Sequence, residues 1–234
     1  MPERVHTPSG LVRGIFLTTV ICAAAYLVMT GVAIALFPGG TYHDPLSHGY
    51  SWTRNFFSDL GRSHAYGDGD ITASRWLFSL SLTMVGLIFL PFGVAWRSVL
   101  QAKTATRVAS LTGTIGAVTA GISYVVIAWT PWDLYLHIHT NAVYCGFGGL
   151  LLMSLSFGVA MALTAGYPRS GAVVMLALAA AALGYLYLLF FGPSYKTPTG
   201  LTIQVIGQKF IVASQVVVIL FEAALALRMA KSGR

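Results

Sequence analysis

Asp133 and His137 stand four residues apart in the stretch Thr130-Pro131-Trp132-Asp133-Leu134-Tyr135-Leu136-His137-Ile138-His139-Thr140-Asn141. On a helix that spacing sets a carboxylate and an imidazole on one face. Such a pair can orient the ring, raise its basicity or share a metal ion. His137 would act as general base or metal ligand and Asp133 as its orienter. His139 lies two residues on and points to nearly the opposite side, so both histidines do not ligate one ion from a regular helix. One of the two then faces lipid headgroups or solvent. A capping role competes for the same residues: Thr130 as N-cap, Pro131 at N1 and Asp133 at N3, opposing the helix dipole.

Two further groups carry polar chemistry. Asn55-Phe56-Phe57-Ser58-Asp59-Leu60-Gly61 offers a hydroxyl and an acid. A triad of Ser58, His137 and Asp133 can be drawn across the chain, and His43, His48 and His64 with nearby aspartates can be drawn as a zinc site, but neither spacing is diagnostic. Gln204, Gln208, Gln215 and Glu222 are spaced by four, seven and seven, which puts them on one helix stripe. The stripe spans about 27 Å at 1.5 Å per residue, nearly the depth of a bilayer. It reads equally as interhelical hydrogen bonding or as the polar wall of a cavity, with Glu222 paired to Arg228 or another inner cation. Lys209, off the stripe, can snorkel, reach a carboxylate or meet a lipid phosphate.

The elements that hold these groups follow from hydropathy. Only 9% of the 234 residues are charged and 56% are hydrophobic, against about 25% charged in soluble domains. Six apolar runs, 11–37, 74–96, 108–129, 136–163, 172–191 and 203–227, are each long enough for a spanning helix. Unbroken rather than alternating hydrophobicity excludes barrel strands. The fold class is therefore all-α: one polytopic membrane bundle of six transmembrane helices over residues 1–234. The first run is too long for a cleavable signal. Cys22 and Cys145 read as lone packing residues. Gly113, Gly116, Gly121, Gly146, Gly148, Gly149 and the run from Ala179 to Ala182 predict close helix approach.

With the N-terminus inside, nine Lys and Arg residues, Arg4 and Arg234 among them, fall on the inner side and five on the outer. That bias predicts an N-in, C-in topology. All five aspartates fall outside, so the net charge of +7 belongs to the inner face, where anionic lipid rather than nucleic acid is the expected partner. The long outer loop, 39–72, is the structured one. Within it residues 50–60 are predicted to form an amphipathic helix ended by Gly61, and Gly67-Asp68-Gly69-Asp70 a solvated turn.

Phe57-Ser58-Asp59-Leu60-Gly61, followed by Ser74-Arg75-Trp76-Leu77-Phe78, resembles the S-D-x-G … F signature of DRAM/Sfk/Frag-type membrane proteins. The six-span layout and the Asp133–His137 pair resemble that group too. The matching residues are Ser58, Asp59, Gly61, Asp133 and His137; no proline falls between Gly61 and Ser74, a departure in the loop. Eukaryotic members are linked to GPI-lipid remodelling, lipid organisation and autophagy, so the resemblance implies a lipid-related role.

The leading expectation is a multi-pass cell-membrane protein with a polar site facing outward that binds or remodels lipid. Asp133 and His137 would carry any catalysis or metal binding. Ser58, Asp59, His139, Gln204, Gln208 and Lys209 would hold the ligand. The rivals are a transporter using Gln215 and Glu222, and a scaffold without chemistry. No residue pattern names a cofactor, and a homo-oligomer is compatible with the composition.

Overall fold

Six long helices account for most of the chain, and among the described residues there is no strand. The computed structural model describes residues 9–101 and 103–231; Arg4 and Arg234, which entered the charge count, lie outside them. The helices are α1 (Gly10–Ala35), α2 (Thr72–Val99), α3 (Thr104–Trp129), α4 (Leu136–Leu163), α5 (Arg169–Phe191) and α6 (Pro198–Lys231). All six are long and apolar enough to cross a membrane. Their apolar residues run all round the helix, as lipid on one side and protein on the other require. Leu17, Ile21 and Val28 on α1 and Ile115 and Ile122 on α3 lie exposed on the outside of the bundle. Helix ends follow local chemistry. Ser9 accepts from Val12 N at 3.4 Å and caps α1. Thr197 Oγ1 accepts from Gly200 N at 3.1 Å, so α6 starts at Pro198, ahead of its apolar run.

Each helix packs on its neighbours in sequence, and α6 closes back on α1. The result is a ring of six with space at its centre. Glycines draw the middle helices together. A methyl on Gly116 would sit 2.5 Å from Met153 N, and one on Gly149 2.6 Å from Ala120 N, so α3 and α4 meet backbone to backbone. Gly86 and Gly121 do the same for α2 and α3, and Gly113 lies flat against the Phe157 ring. Gly148 is different: nothing lies within 4 Å of its missing side chain.

The 39–72 loop folds over one end of the ring, here called the loop end. Ala33, Phe37, Leu60, Ile71 and Phe78 form a small core beneath it. Gly39 (φ 122°) and Gly40 (φ 83°) start the loop in left-handed turns where Ser47 O and Tyr66 leave no room for a side chain. Residues 50–60 are not an amphipathic helix. One turn at Ser51–Asn55 breaks at the extended Phe56, and a short 3-10 helix, Phe57–Gly61, follows. Gly61 does not stop a helix; it admits the Phe78 ring. Asp68 and Asp70 lie exposed, and Asp70 accepts from Thr72 N at 2.9 Å at the start of α2.

Candidate functional site

Asp59 is completely buried and takes up every donor around it. Its Oδ2 accepts from Asn55 Nδ2 at 3.1 Å and from Phe56 N at 2.9 Å; its Oδ1 accepts from Trp132 Nε1 at 3.0 Å and from Tyr66 OH at 3.2 Å. Asn55 carries the net onward, donating to Gly40 O at 2.9 Å and accepting from Ser51 N at 2.8 Å. Burial pushes the Asp59 carboxyl above its ordinary value, against the pull of Asn55, Trp132, Arg62 and Phe56. The Tyr50 and Tyr66 phenols are raised by burial and by the Asp59 charge, so both stay protonated donors.

Asp133 makes a second tie. It does not lie on α4, which begins at Leu136. Thr130 is the C-cap of α3 rather than the N-cap of α4, and Pro131 O accepts from Leu134 N and Tyr135 N in the connecting turn. Asp133 instead reaches the loop: Ser63 Oγ donates at 2.7 Å, Ser63 N at 3.1 Å and His64 N at 3.3 Å, with Arg62 Nη2 4.0 Å away. Burial opposes ionisation here too, but the Ser63 bonds and the Arg62 charge win and hold Asp133 below the usual carboxylate value. Arg62 lies over Tyr66 (4.0 Å) and Trp132 (4.7 Å).

From α6, Lys209 and Gln208 grip the same loop. Lys209 Nζ donates to Asn55 O at 2.6 Å and Tyr50 OH at 2.8 Å, over the faces of Phe57 (4.6 Å) and Tyr50 (4.9 Å). Gln208 Oε1 accepts from Phe57 N at 2.7 Å. Gln204 Nε2 donates to Leu188 O at 3.0 Å and Pro193 O at 3.1 Å, closing the end of α5. Asp59, Asp133, Lys209 and Gln204 are thus committed to holding the loop end together.

The histidines exchange the places expected of them. Without a helix at 133 the four-residue spacing no longer pairs Asp133 with His137, which is exposed and makes no hydrogen bond or ion pair among the described residues. His139 is the buried one, 6% exposed, with Nδ1 2.7 Å from Thr130 O. A carbonyl only accepts, so Nδ1 carries the proton and Nε2 presents a lone pair. The partners of Asp133 are Ser63, His64 and Arg62 and not His137, so the triad drawn with Ser58 lacks its dyad, and no three His, Cys, Asp or Glu side chains among the described residues gather into a metal site. The zinc arrangement of His43, His48 and His64 therefore does not form. His43 is drawn to Tyr195 O at 3.3 Å, His64 to Ser63 Oγ at 2.8 Å.

Ser58, His139 and Gln208 do converge, at the junction of two cavities. The inner chamber, about 90 Å³, lies at the centre of the helix ring beneath the 3-10 helix. A single water needs only about 10–15 Å³ of such space. Its walls are mostly apolar, Leu82, Val85, Phe89, Val212 and Ile219 among them; away from the junction the polar groups are Thr19, Tyr26, Tyr124 and Gln215, with Tyr124 donating to Gln215 Oε1 at 2.7 Å. The second chamber, about 250 Å³, lies under the loop between α4, α5 and α6, walled by Tyr66, Trp132, Tyr144, Tyr185 and Tyr195. Ser58, His139, Val143 and Gln208 border both chambers.

The α6 stripe is therefore real but divided. Gln208 and Gln215 face the inner chamber; Gln204 ties off α5 and borders the second chamber. Glu222 is wholly buried away from both chambers and accepts from Tyr167 OH at 3.1 Å, while Arg228, its expected partner, is exposed.

A family model described as "Protein of unknown function (DUF998)" matches residues 31–230, which takes in the loop end, the second chamber, all of α2 to α5 and α6 up to its last residue, while Thr19, Ala23 and Tyr26 of the inner chamber precede it. The chain belongs to the DUF998 family. Comparison with curated proteins and with solved structures finds no match. The DUF998 segment holds every residue of the polar junction. Sequence reasoning overlooked the aromatic chamber. Its signal within the spans was tyrosine at 144 and 185 among aliphatic neighbours.

Proposed function

We propose that this DUF998 protein binds a membrane amphiphile, with a short stretch of its hydrocarbon chain in the inner chamber and a polar head in the aromatic chamber. The observation that carries the reading is the pairing of the two spaces: one almost wholly apolar, one rimmed by hydroxyls and rings, joined at Ser58, His139 and Gln208. Concave, mostly apolar sites with a few convergent polar groups are where small ligands bind. A hydrocarbon chain gains about 0.8 kcal/mol per CH₂ on leaving water, but nothing on leaving lipid. Specificity must therefore come from the polar junction. The likeness to DRAM/Sfk/Frag-type proteins at Ser58, Asp59 and Gly61 agrees with lipid as the ligand. The charge bias supports a loop end facing outward across the cell membrane.

The experiment is mass spectrometry of the protein released from native membranes, comparing the parent with Val143→Trp. The indole would fill the junction. A co-purifying lipid retained by the parent and lost from the variant, at equal melting temperature, supports the reading. Equal lipid content in both removes it. A transport reading keeps one point in its favour, the amides Gln208 and Gln215 along the cavity wall. It requires a route past the buried Glu222.

A further inference from the structure

We infer that the occupant of the two chambers is an electrically neutral amphiphile whose hydroxyl is held between His139, Ser58 and Gln208. The inference rests on the amphiphile-binding reading and narrows it. No Asp, Glu, Lys or Arg lines either chamber among the described residues. The charges that lie close are already matched. Asp59 accepts from four donors, Lys209 is bonded to Tyr50 and Asn55, and Asp133 holds Ser63 with Arg62 beside it. A phosphate drawn into this space would give up water and find no counter-charge; a quaternary amine could rest on the rings of the second chamber but offers the junction neither a donor nor an acceptor.

The free atoms at the junction describe the head. His139 Nδ1 is fixed as donor to Thr130 O, which leaves Nε2 as an acceptor. Gln208 Oε1 is taken by Phe57 N–H, which fixes the amide orientation and leaves Nε2 as a donor. Ser58 Oγ, with no protein partner among the described residues, can do either. A hydroxyl gives its proton to His139 and accepts from Gln208. An anionic oxygen would instead meet the His139 lone pair. Long-chain alcohols and acylglycerols meet this demand; fatty-acid anions and phosphates do not. The tyrosine and tryptophan walls of the second chamber suit the uncharged, hydroxylated remainder of a glycerol head.

The test titrates the full chain, in a non-ionic detergent, with four probes of one chain length, read by native mass spectrometry. The probes are oleyl alcohol, 1-oleoylglycerol, oleyl phosphate and oleyl trimethylammonium. The two neutral probes are expected to bind at least about tenfold tighter than the two ions. Ser58→Ala and His139→Phe are each expected to weaken the neutral probes about three- to tenfold, the loss of one hydrogen bond, while binding of the ions stays as weak as before. Equal or tighter binding of either ion to the parent overturns the neutral-ligand inference and leaves amphiphile binding standing. Failure of all four probes to bind a parent that melts cooperatively overturns both. The comparison of probes on the parent needs no variant, so a misfolded His139→Phe does not shield the inference.

Discussion

Two aspartates at the loop end are driven in opposite directions by what surrounds them. Asp59 sits in a closed net where burial dominates, and its carboxyl is raised. Asp133 gains more from Ser63 and Arg62 than burial takes away, and its carboxyl is lowered. The signs separate on titration. A lowered acid lends stability that is complete above its unfolded value, near 3.8, and is lost as the pH falls through the folded value. A raised acid behaves oppositely, and its contribution falls as the pH rises from the unfolded toward the folded value. Acidification is therefore expected to release the loop through Asp133. Hydrogen exchange of residues 39–72, corrected for intrinsic rates, should rise below the ordinary carboxylate range. Asp133→Asn should loosen the loop by roughly 1.5–3 kcal/mol at neutral pH, the range for hydrogen bonds to a charged group, and should flatten that acid-side rise. An unchanged acid response in the variant would show that another group controls it. The same scale explains why His139, and not His137, is the buried histidine. The spacing argument presumed a helix at Asp133, and the turn at Pro131 starts that helix three residues too late.

At the scale of elements, the glycines of α3 and α4 do unequal work. Gly149 faces Ala120 across a backbone contact, while its neighbour Gly148 faces nothing. Gly149→Leu should therefore lower stability by at least about 1–3 kcal/mol, the usual range for overpacking, whereas Gly148→Leu should melt with the parent. Equal melting temperatures for both variants, in detergent, would mean that α3 and α4 do not cross there. The glycines were visible in the sequence as a group. Which of them faces a partner depends on the rotation of each helix, and hydropathy is nearly uniform around these helices. The 50–60 segment failed as a helix for a different reason. Asn55 and Asp59 side chains capture the backbone N–H groups of Ser51 and Phe56, giving the chain an alternative to a helical ladder.

At the scale of the whole molecule, the ring closes with α6 between α5 and α1, and the loop covers one end. The charge bias predicts that end outside: five cations there are matched by five aspartates, and the excess basic charge lies at the other end. In a background with Cys22 and Cys145 replaced by Ala, a membrane-impermeant maleimide should label Asp68→Cys on intact cells, and Ala105→Cys only after lysis. The reverse pattern would move the polar junction to the inner leaflet and leave its geometry intact.

Hydropathy by itself determined the six helices and their order, and set their limits to within five residues, because hydrocarbon admits no unpaired backbone and forces long apolar runs into helices. It also marked which polar side chains mattered, since few are tolerated at that depth. Only the tertiary structure decided which of them serve the loop and which face the cavity. That division rests on partners far apart in the chain, Gln208 with Phe57 and Asp133 with Ser63, and no local pattern records which distant donor a side chain will meet.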